Sequence, residues 1–344
     1  MYFASDNTGI THPKIMQRVV DANTGYAMPY GNDEIMGKVR ADLRTLFEAP
    51  DAAIYLVATG TAANSLALAC YTEPWQTIFC AQYSHIEEDE CNAPEFYTGA
   101  KLTLIPTPDK MAPEDLAAGI ARRPKGVVHM AQSGAVSITQ VTEHGSVHTL
   151  EEIRALTAVA QAADLPVHLD GARFANAQVA LGCTPAEMTW KSGVDVVSFG
   201  GTKNGCMGVE AVIFFDPSKA QEFEYRRKRG AHLFSKHRYL SAQMEGYLAD
   251  DLWLEMARTA NDACARLTKG LRNHGAEFLH EPQANMIFAR FPRAVHQKLQ
   301  AAGAKYYVTG GDVATGPADE MLACRLVCDW AMSDDLVDQF LSHF

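Results

Sequence analysis

From Ile54 onward the chain alternates short apolar runs with helix-spaced stretches, and this alternation restricts the fold more than any other feature of the sequence. Ile54 to Ala58 runs into Thr59-Gly60-Thr61 and a helical Ala62 to Tyr71. The apolar segments Thr77 to Ala81, Gly126 to Met130 and Val136 to Ile138 follow, and a helical Leu150 to Ala163 leads into Leu165 to Leu169. Val194 to Phe199 and Ala211 to Phe215, closed by Asp216-Pro217, continue the series. Strands joined through helices cross over to lie parallel, and a parallel sheet needs a helix layer on each face. The expected class is α/β, with a three-layer large domain around a mainly parallel sheet.

The flanks read differently. Residues 1 to 30 are rich in Asn, Thr, Gly, Pro and Asp, which predicts an extended N-terminal arm with one short helix over Pro13 to Ala22. Ile35, Val39, Leu43, Leu46 and Phe47 recur at helical spacing. Beyond about Leu240 a long helical stretch, Ala242 to about Gly270, precedes Asn285 to Phe291, a helical Ala294 to Ala302, Lys305 to Val308 and Cys324 to Cys328. That order predicts a large domain over 31–245 and a smaller C-terminal α/β domain over 246–344.

Composition removes several classes of function. A formal net charge of −11 over 344 residues leaves no basic tract for nucleic acid or an anionic membrane. Tyr225-Arg226-Arg227-Lys228-Arg229 is the one local exception, a solvated helix face or a contact for a phosphate. The 8 cysteines show neither a CxxC pair nor a Cys/His zinc spacing, so reduced thiols and no metal are expected. With no signal-peptide pattern and no membrane-length apolar stretch, the expected location is the cytoplasm.

Two segments carry the chemistry. His168-Leu169-Asp170-Gly171-Ala172-Arg173 places Asp170 at the end of one buried strand, and Ser198-Phe199-Gly200-Gly201-Thr202-Lys203 places Lys203 just beyond another. Open α/β sheets bind ligands at that edge. A turn lysine alone is most often a surface residue, and an aspartate before a helix is most often an N-cap. An amine and a buried acid together are what pyridoxal 5'-phosphate asks of a protein: a lysine for a Schiff base and a carboxylate for the ring nitrogen. Thr59-Gly60-Thr61 opens a helix after a strand, where free amides and the helix dipole suit a phosphate. His85 lies beyond Thr77 to Ala81 and offers a flat ring for stacking.

These segments resemble the pyridoxal-phosphate-dependent threonine aldolase and β-eliminating lyase family of the aspartate-aminotransferase-like fold. The resemblance spans nearly the whole chain: Ser5-Asp6-Asn7-Thr8, Tyr30-Gly31-Asn32-Asp33, Thr59-Gly60-Thr61, Ser84-His85-Ile86, His168 to Arg173, Thr202-Lys203 and Arg325-Leu326-Val327 fall in the family's order. It implies that Lys203 holds the cofactor, Asp170 pairs with its ring nitrogen, Thr59, Gly60 and Thr61 hold its phosphate, and His85 stacks on its face. Ser5, Arg173 and Arg325 would surround the substrate carboxylate or the cofactor's phenolic oxygen. Arg238 is similar to the arginine of the family's Met-Arg-Gln segment, which approaches the neighbouring subunit's cofactor, although Ser235-Lys236-His237-Arg238 lacks the usual Gly-Gly-Gly before it.

The implied reaction is retro-aldol cleavage of threonine, allo-threonine or phenylserine to glycine and an aldehyde, in a homodimer or homotetramer with shared sites. β-Elimination, transamination and a non-catalytic binding role are the alternatives. One departure leaves the base open. Where the family commonly has Asn-Thr-His-Asn this chain reads Ile138-Thr139-Gln140-Val141-Thr142-Glu143-His144-Gly145, so Glu143, His144 and a water held by His85 are all candidates.

Overall fold

A computed structural model describes residues 1–344. The strands in chain order are β1 (Ala53–Val57), β2 (Gln76–Ala81), β3 (Lys101–Ile105), β4 (Gln132–Thr139), β5 (Val167–Gly171), β6 (Val196–Gly200), β7 (Glu210–Phe214), β8 (Glu277–Phe278), β9 (Met286–Pro292), β10 (Tyr307–Thr309) and β11 (Met321–Val327). The first seven form one sheet in the order β1-β7-β6-β5-β4-β2-β3. Only β7 runs against the rest. The protein is α/β, as the alternation of runs and helices implies.

Residue alternation along the strands builds the three layers. Ile54, Leu56, Val197, Phe199, Ala211 and Ile213 face one core, which helices Glu34–Leu46, Leu150–Ala162, Phe174–Leu181 and Arg238–Leu248 help to close. Tyr55, Val57, Val196, Val212 and Phe214 face the other way, against Ala62, Ala63, Leu66 and Ala67 of helix Gly60–Ala69. Side chains of a strand alternate between faces, so each strand feeds both cores. Helix Gly60–Ala69 is consequently buried from Ala62 to Ala69, with Asn64 and Ser65 its polar members there.

β8 to β11 form a separate antiparallel sheet in the order β10-β11-β9-β8. Phe3 packs into its core beside Leu267, Ile287, Leu326 and Phe340. The chain start is tied there by backbone hydrogen bonds from Phe3 N–H to Lys305 O at 2.8 Å and from Val327 N–H to Phe3 O at 2.8 Å. Helix Pro13–Asp21 then lies along Arg238–Leu248. No helix is long and apolar enough to cross a membrane.

Three expectations need correction. The apolar run at 126–130 is a turn with Val128 91% exposed, and its strand begins instead at Gln132. The long C-terminal helix is two helices, because Asp250 and Asp251 take left-handed backbone (φ 53° and 55°) and end the first at Leu248. β3 has no counterpart among the expected strands.

Candidate active site

Asp170 and Lys203 come together because β5 and β6 are neighbours, with Asp170 opposite Ser198. Their ends approach closely. A Cβ on Gly171 would stand 2.6 Å from Ser198 O, and one on Gly200 would stand 2.5 Å from Ala172 O, so both positions demand glycine. Behind the lysine turn Thr202–Asn204, Asn204 Nδ2 donates to Tyr247 Oη at 2.9 Å and to Trp253 O at 2.8 Å, and Tyr247 Oη donates to Gly200 O at 3.0 Å. These bonds fix the turn on the body of the protein.

Two cavities meet over this pair. One, of ≈ 460 Å³, is bordered by Thr59, Gly60, Thr61, Asn64, Asp170 and Lys203. The other, of ≈ 340 Å³, is bordered by Ser5, His85, Glu143, Arg173, Lys203 and Arg325. His85, Asp170, Ala172 and Lys203 border both. Every expected site residue except Arg238 lies on one or the other. Arg238 donates instead to the carbonyls of Ala22 at 3.0 Å, Thr24 at 2.8 Å and Gly25 at 3.2 Å, holding the chain after helix Pro13–Asp21.

The carboxylate of Asp170 is buried and has no basic partner in contact. Oδ1 accepts Ala172 N–H at 3.0 Å in a local turn, the helix that follows having Arg173 and not Asp170 at its N-cap, and Oδ2 accepts Asn64 Nδ2 at 2.8 Å. Asn64 Nδ2 also donates to Glu90 Oε1 at 2.9 Å, and Glu90 Oε1 lies 3.0 Å from His85 Nδ1. The hydrogen bond to Glu90 raises the His85 pKa against the opposing effect of burial. His85, half-buried, and the buried Glu90 and Asp170 thus form one anion-rich network.

Lys203 has its pKa lowered by burial and by the guanidinium of Arg173. Arg173 is itself committed to Asp6, with Nε to Oδ2 at 2.7 Å and Nη2 to Oδ1 at 3.0 Å. Burial alone would raise Asp6, but Arg173 and Lys203 hold its carboxyl below the usual range. Arg325 donates to Ala4 O at 3.1 Å and stands over the Tyr307 ring at 5.1 Å, while its buried Nε has no partner. Ser5 Oγ accepts Asn7 N–H at 3.1 Å at the rim.

Glu143 accepts the backbone N–H of His85 at 2.6 Å, and burial followed by the nearby Asp170 pushes its carboxyl up to about 7. His144 sits farther out, stacked on His280 at 4.3 Å, with its pKa lowered by burial and by that neighbour.

This donor set fits pyridoxal phosphate. Thr59 caps its helix through Oγ1 to Ala62 N–H at 3.2 Å, so the amides of Gly60 and Thr61 precede the first intrahelical bond, and both residues border the cavity. Space is open where a Gly60 Cβ would stand. A buried carboxylate beside an amine meets the needs of the ring nitrogen and the aldehyde. Sequence reading missed Asn64, Glu90 and Glu210, and gave Asp6 no role. An asparagine in an otherwise buried apolar helix was the available signal for Asn64.

The protein-family model for β-eliminating lyases matches residues 2–293. The low specificity L-threonine aldolase of Pseudomonas aeruginosa is 38% identical over 332 residues, covering 95% of this chain and 92% of that protein. A Leishmania major threonine aldolase structure superposes with a TM-score of 0.92 at 26% identity, covering 99% of this chain and 97% of its own. Sphingomonas wittichii serine palmitoyltransferase shares the fold at a TM-score of 0.71 and 16% identity, covering 100% of this chain and 86% of its own. The chain belongs to the pyridoxal-phosphate-dependent β-eliminating lyase and threonine aldolase family.

Proposed function

We propose that this protein is a low-specificity threonine aldolase, a carbon–carbon lyase that cleaves L-threonine, L-allo-threonine and related β-hydroxy-α-amino acids such as phenylserine to glycine and an aldehyde. The likeness to the Pseudomonas and Leishmania proteins supports the activity. One observation carries the site: Lys203, Asp170, Glu143 and Arg325 border a single cleft. That cleft offers an amine, an acid for the ring nitrogen, a base and a carboxylate clamp.

Pyridoxal phosphate, when bound, supplies the electron sink for the pair released from the Cα–Cβ bond. In this reading Lys203 holds it as a Schiff base, and its lowered pKa favours the neutral amine that this bond requires. Asp170 keeps the ring nitrogen protonated. Gly60, Thr61 and the capped helix hold the phosphate, with Thr59 ordering the turn. His85 covers the ring, its own ring oriented by Glu90.

Arg325, which borders the cleft, would take the substrate carboxylate. Clamping the carboxylate would orient Cα and so would decide which of its bonds is cleaved. Arg173, pinned by Asp6, would supply positive charge to the substrate carboxylate or the cofactor's phenolic oxygen, and Ser5 would line the rim. Glu143 accepts the β-hydroxyl proton, because it is the carboxylate of this cleft poised near 7.

We further infer a cytoplasmic homodimer or homotetramer, organised as an arm over 1–30, a large domain over 31–245 and a small one over 246–344. The reduced cysteines and the exposed Ile10, Tyr26 and Met28 of the arm support location and assembly. In such an assembly Arg238 would act at the neighbouring subunit's cofactor through the loop it holds. Incubation with threonine, allo-threonine and phenylserine in parallel tests the reading. Glycine from all three is expected, and an oxo acid without glycine indicates β-elimination or transamination by Lys203. Lys203→Ala is expected to lose both the visible Schiff-base band and the activity, and full activity in that variant points to a different function.

A further inference from the structure

Glu210 is a buried carboxylate that the reaction does not use. It stands at the start of β7, level with Gly200 on β6 and Val57 on β1, under the lysine turn. Oε2 accepts Gly201 N–H at 2.8 Å, and no lysine, arginine or histidine forms an ion pair with it. It borders the ≈ 460 Å³ cavity together with Thr59, Gly60, Thr61 and Lys203. A carboxyl group therefore borders the same cavity as the cradle proposed for a phosphate. A buried carboxylate and a phosphate facing one cavity repel one another more strongly than two anions in bulk water.

The groups around Glu210 act on its charge in both directions. Lys203 on the turn lowers its pKa and Asp170 on β5 raises it. Cys206 and Tyr247 behind it are a thiol and a phenol whose pKa values burial pushes well up, so both stay neutral. The Gly201 amide and the Thr202 hydroxyl favour the ionised form, yet burial prevails and pushes the carboxyl up to about 7. Small changes in local charge therefore decide its state near neutral pH.

We propose that Glu210 is a proton-linked positioning residue for the cofactor: it is protonated when the phosphate of pyridoxal phosphate fills the Thr59–Thr61 cradle, and ionised when the cradle is vacated. Cofactor uptake then takes up a proton, and retention weakens as pH rises. This rests on the reading of the Thr59–Thr61 turn as the phosphate site.

The test is equilibrium dialysis of holoenzyme from pH 6 to 8.5, reading the dissociation constants of pyridoxal phosphate and of pyridoxal, which lacks the phosphate. Glu210→Gln keeps an acceptor for Gly201 N–H without the charge. It should match the wild type at pH 6 and hold pyridoxal phosphate about tenfold more tightly at pH 8, with pyridoxal unchanged. Glu210→Asp keeps a charge and should keep the wild-type slope. Thr61→Asp adds an anion that a first helical turn tolerates, and should weaken pyridoxal phosphate but not pyridoxal.

Parallel wild-type and Glu210→Gln slopes, with Thr61→Asp weakening only the phosphorylated ligand, overturn the role of Glu210 and leave the cradle standing. Uniform weakening in Glu210→Gln at every pH likewise overturns it, as a purely structural hydrogen bond. A Thr61→Asp protein that binds pyridoxal phosphate as the wild type does overturns the cradle, and this proposal with it.

Discussion

Glu143 and His85 are joined by a 2.6 Å hydrogen bond from the backbone N–H of His85 to Glu143 Oε1. The bond aims a carboxylate from the loop after β4 at the cleft that Lys203 and Asp170 border. It ties the base proposed here to the backbone of the residue whose ring is proposed to stack on the cofactor. Loss of the carboxylate therefore removes a proton acceptor while the backbone of His85 keeps a polar neighbour in the Gln variant.

Glu143→Gln is expected to lower kcat by roughly 10²–10⁴-fold, the usual contribution of a positioned base. The sign of the pH effect follows from the raised pKa. A base must be ionised, so wild-type activity falls as pH drops through about 7. The variant should lose that acid limb. A Glu143→Gln enzyme with the wild-type rate and profile would transfer the role to His144 or to water on His85.

Asp6 and Arg173 form a buried bidentate pair, with side chains only 1% and 12% exposed. Removing one member leaves the other charged and unpaired. Asp6→Ala should destabilise the protein by about 3–5 kcal/mol. Urea unfolding measures this, and a loss below about 1 kcal/mol contradicts the pairing.

Arg325→Ala should raise KM for threonine by roughly 10–100-fold, in line with the ~1.5–3 kcal/mol of a charge-assisted hydrogen bond. Steady-state kinetics at saturating cofactor reports it. An unchanged KM places the carboxylate clamp elsewhere in the cleft.

His168 is fully buried between Ser137 Oγ at 3.0 Å and Ser198 Oγ at 3.0 Å, and burial lowers its pKa to about 4. The unfolded chain binds the proton first, near 6.5. Its contribution to stability is therefore complete above 6.5 and is lost as pH falls towards 4, amounting to roughly 3 kcal/mol at most by linkage. His148 adds to the same window. His168→Asn should make the fall in unfolding free energy between pH 6.5 and 4 shallower, and an equally steep fall removes His168 as its source.

The sheet was legible where a strand is buried on both faces, because β1, β5, β6 and β7 are buried at every position and each carries or abuts a short apolar run. β3 escaped because it is an edge strand, with Lys101 and Leu104 exposed and a mixed pattern to match. Val127 and Val128 misled for the opposite reason: apolar residues occupy an exposed turn there. Asp170 and Lys203 could be read because each follows its strand directly. Glu90 and Asn64 act through contacts that only folding creates, 26 residues apart in sequence. Glu210 hides inside a strand pattern, and its role depends on the turn packed above it. Arg238 was read from its motif alone, and within one chain its guanidinium is bound to the carbonyls of Ala22, Thr24 and Gly25.

The most direct test of the central claim is the product balance of purified, cofactor-loaded protein acting on L-threonine. Retro-aldol cleavage yields glycine and acetaldehyde in equal amounts, with no ammonia released. Ammonia with an oxo acid, and no glycine, would contradict the assignment of Cα–Cβ cleavage to this site.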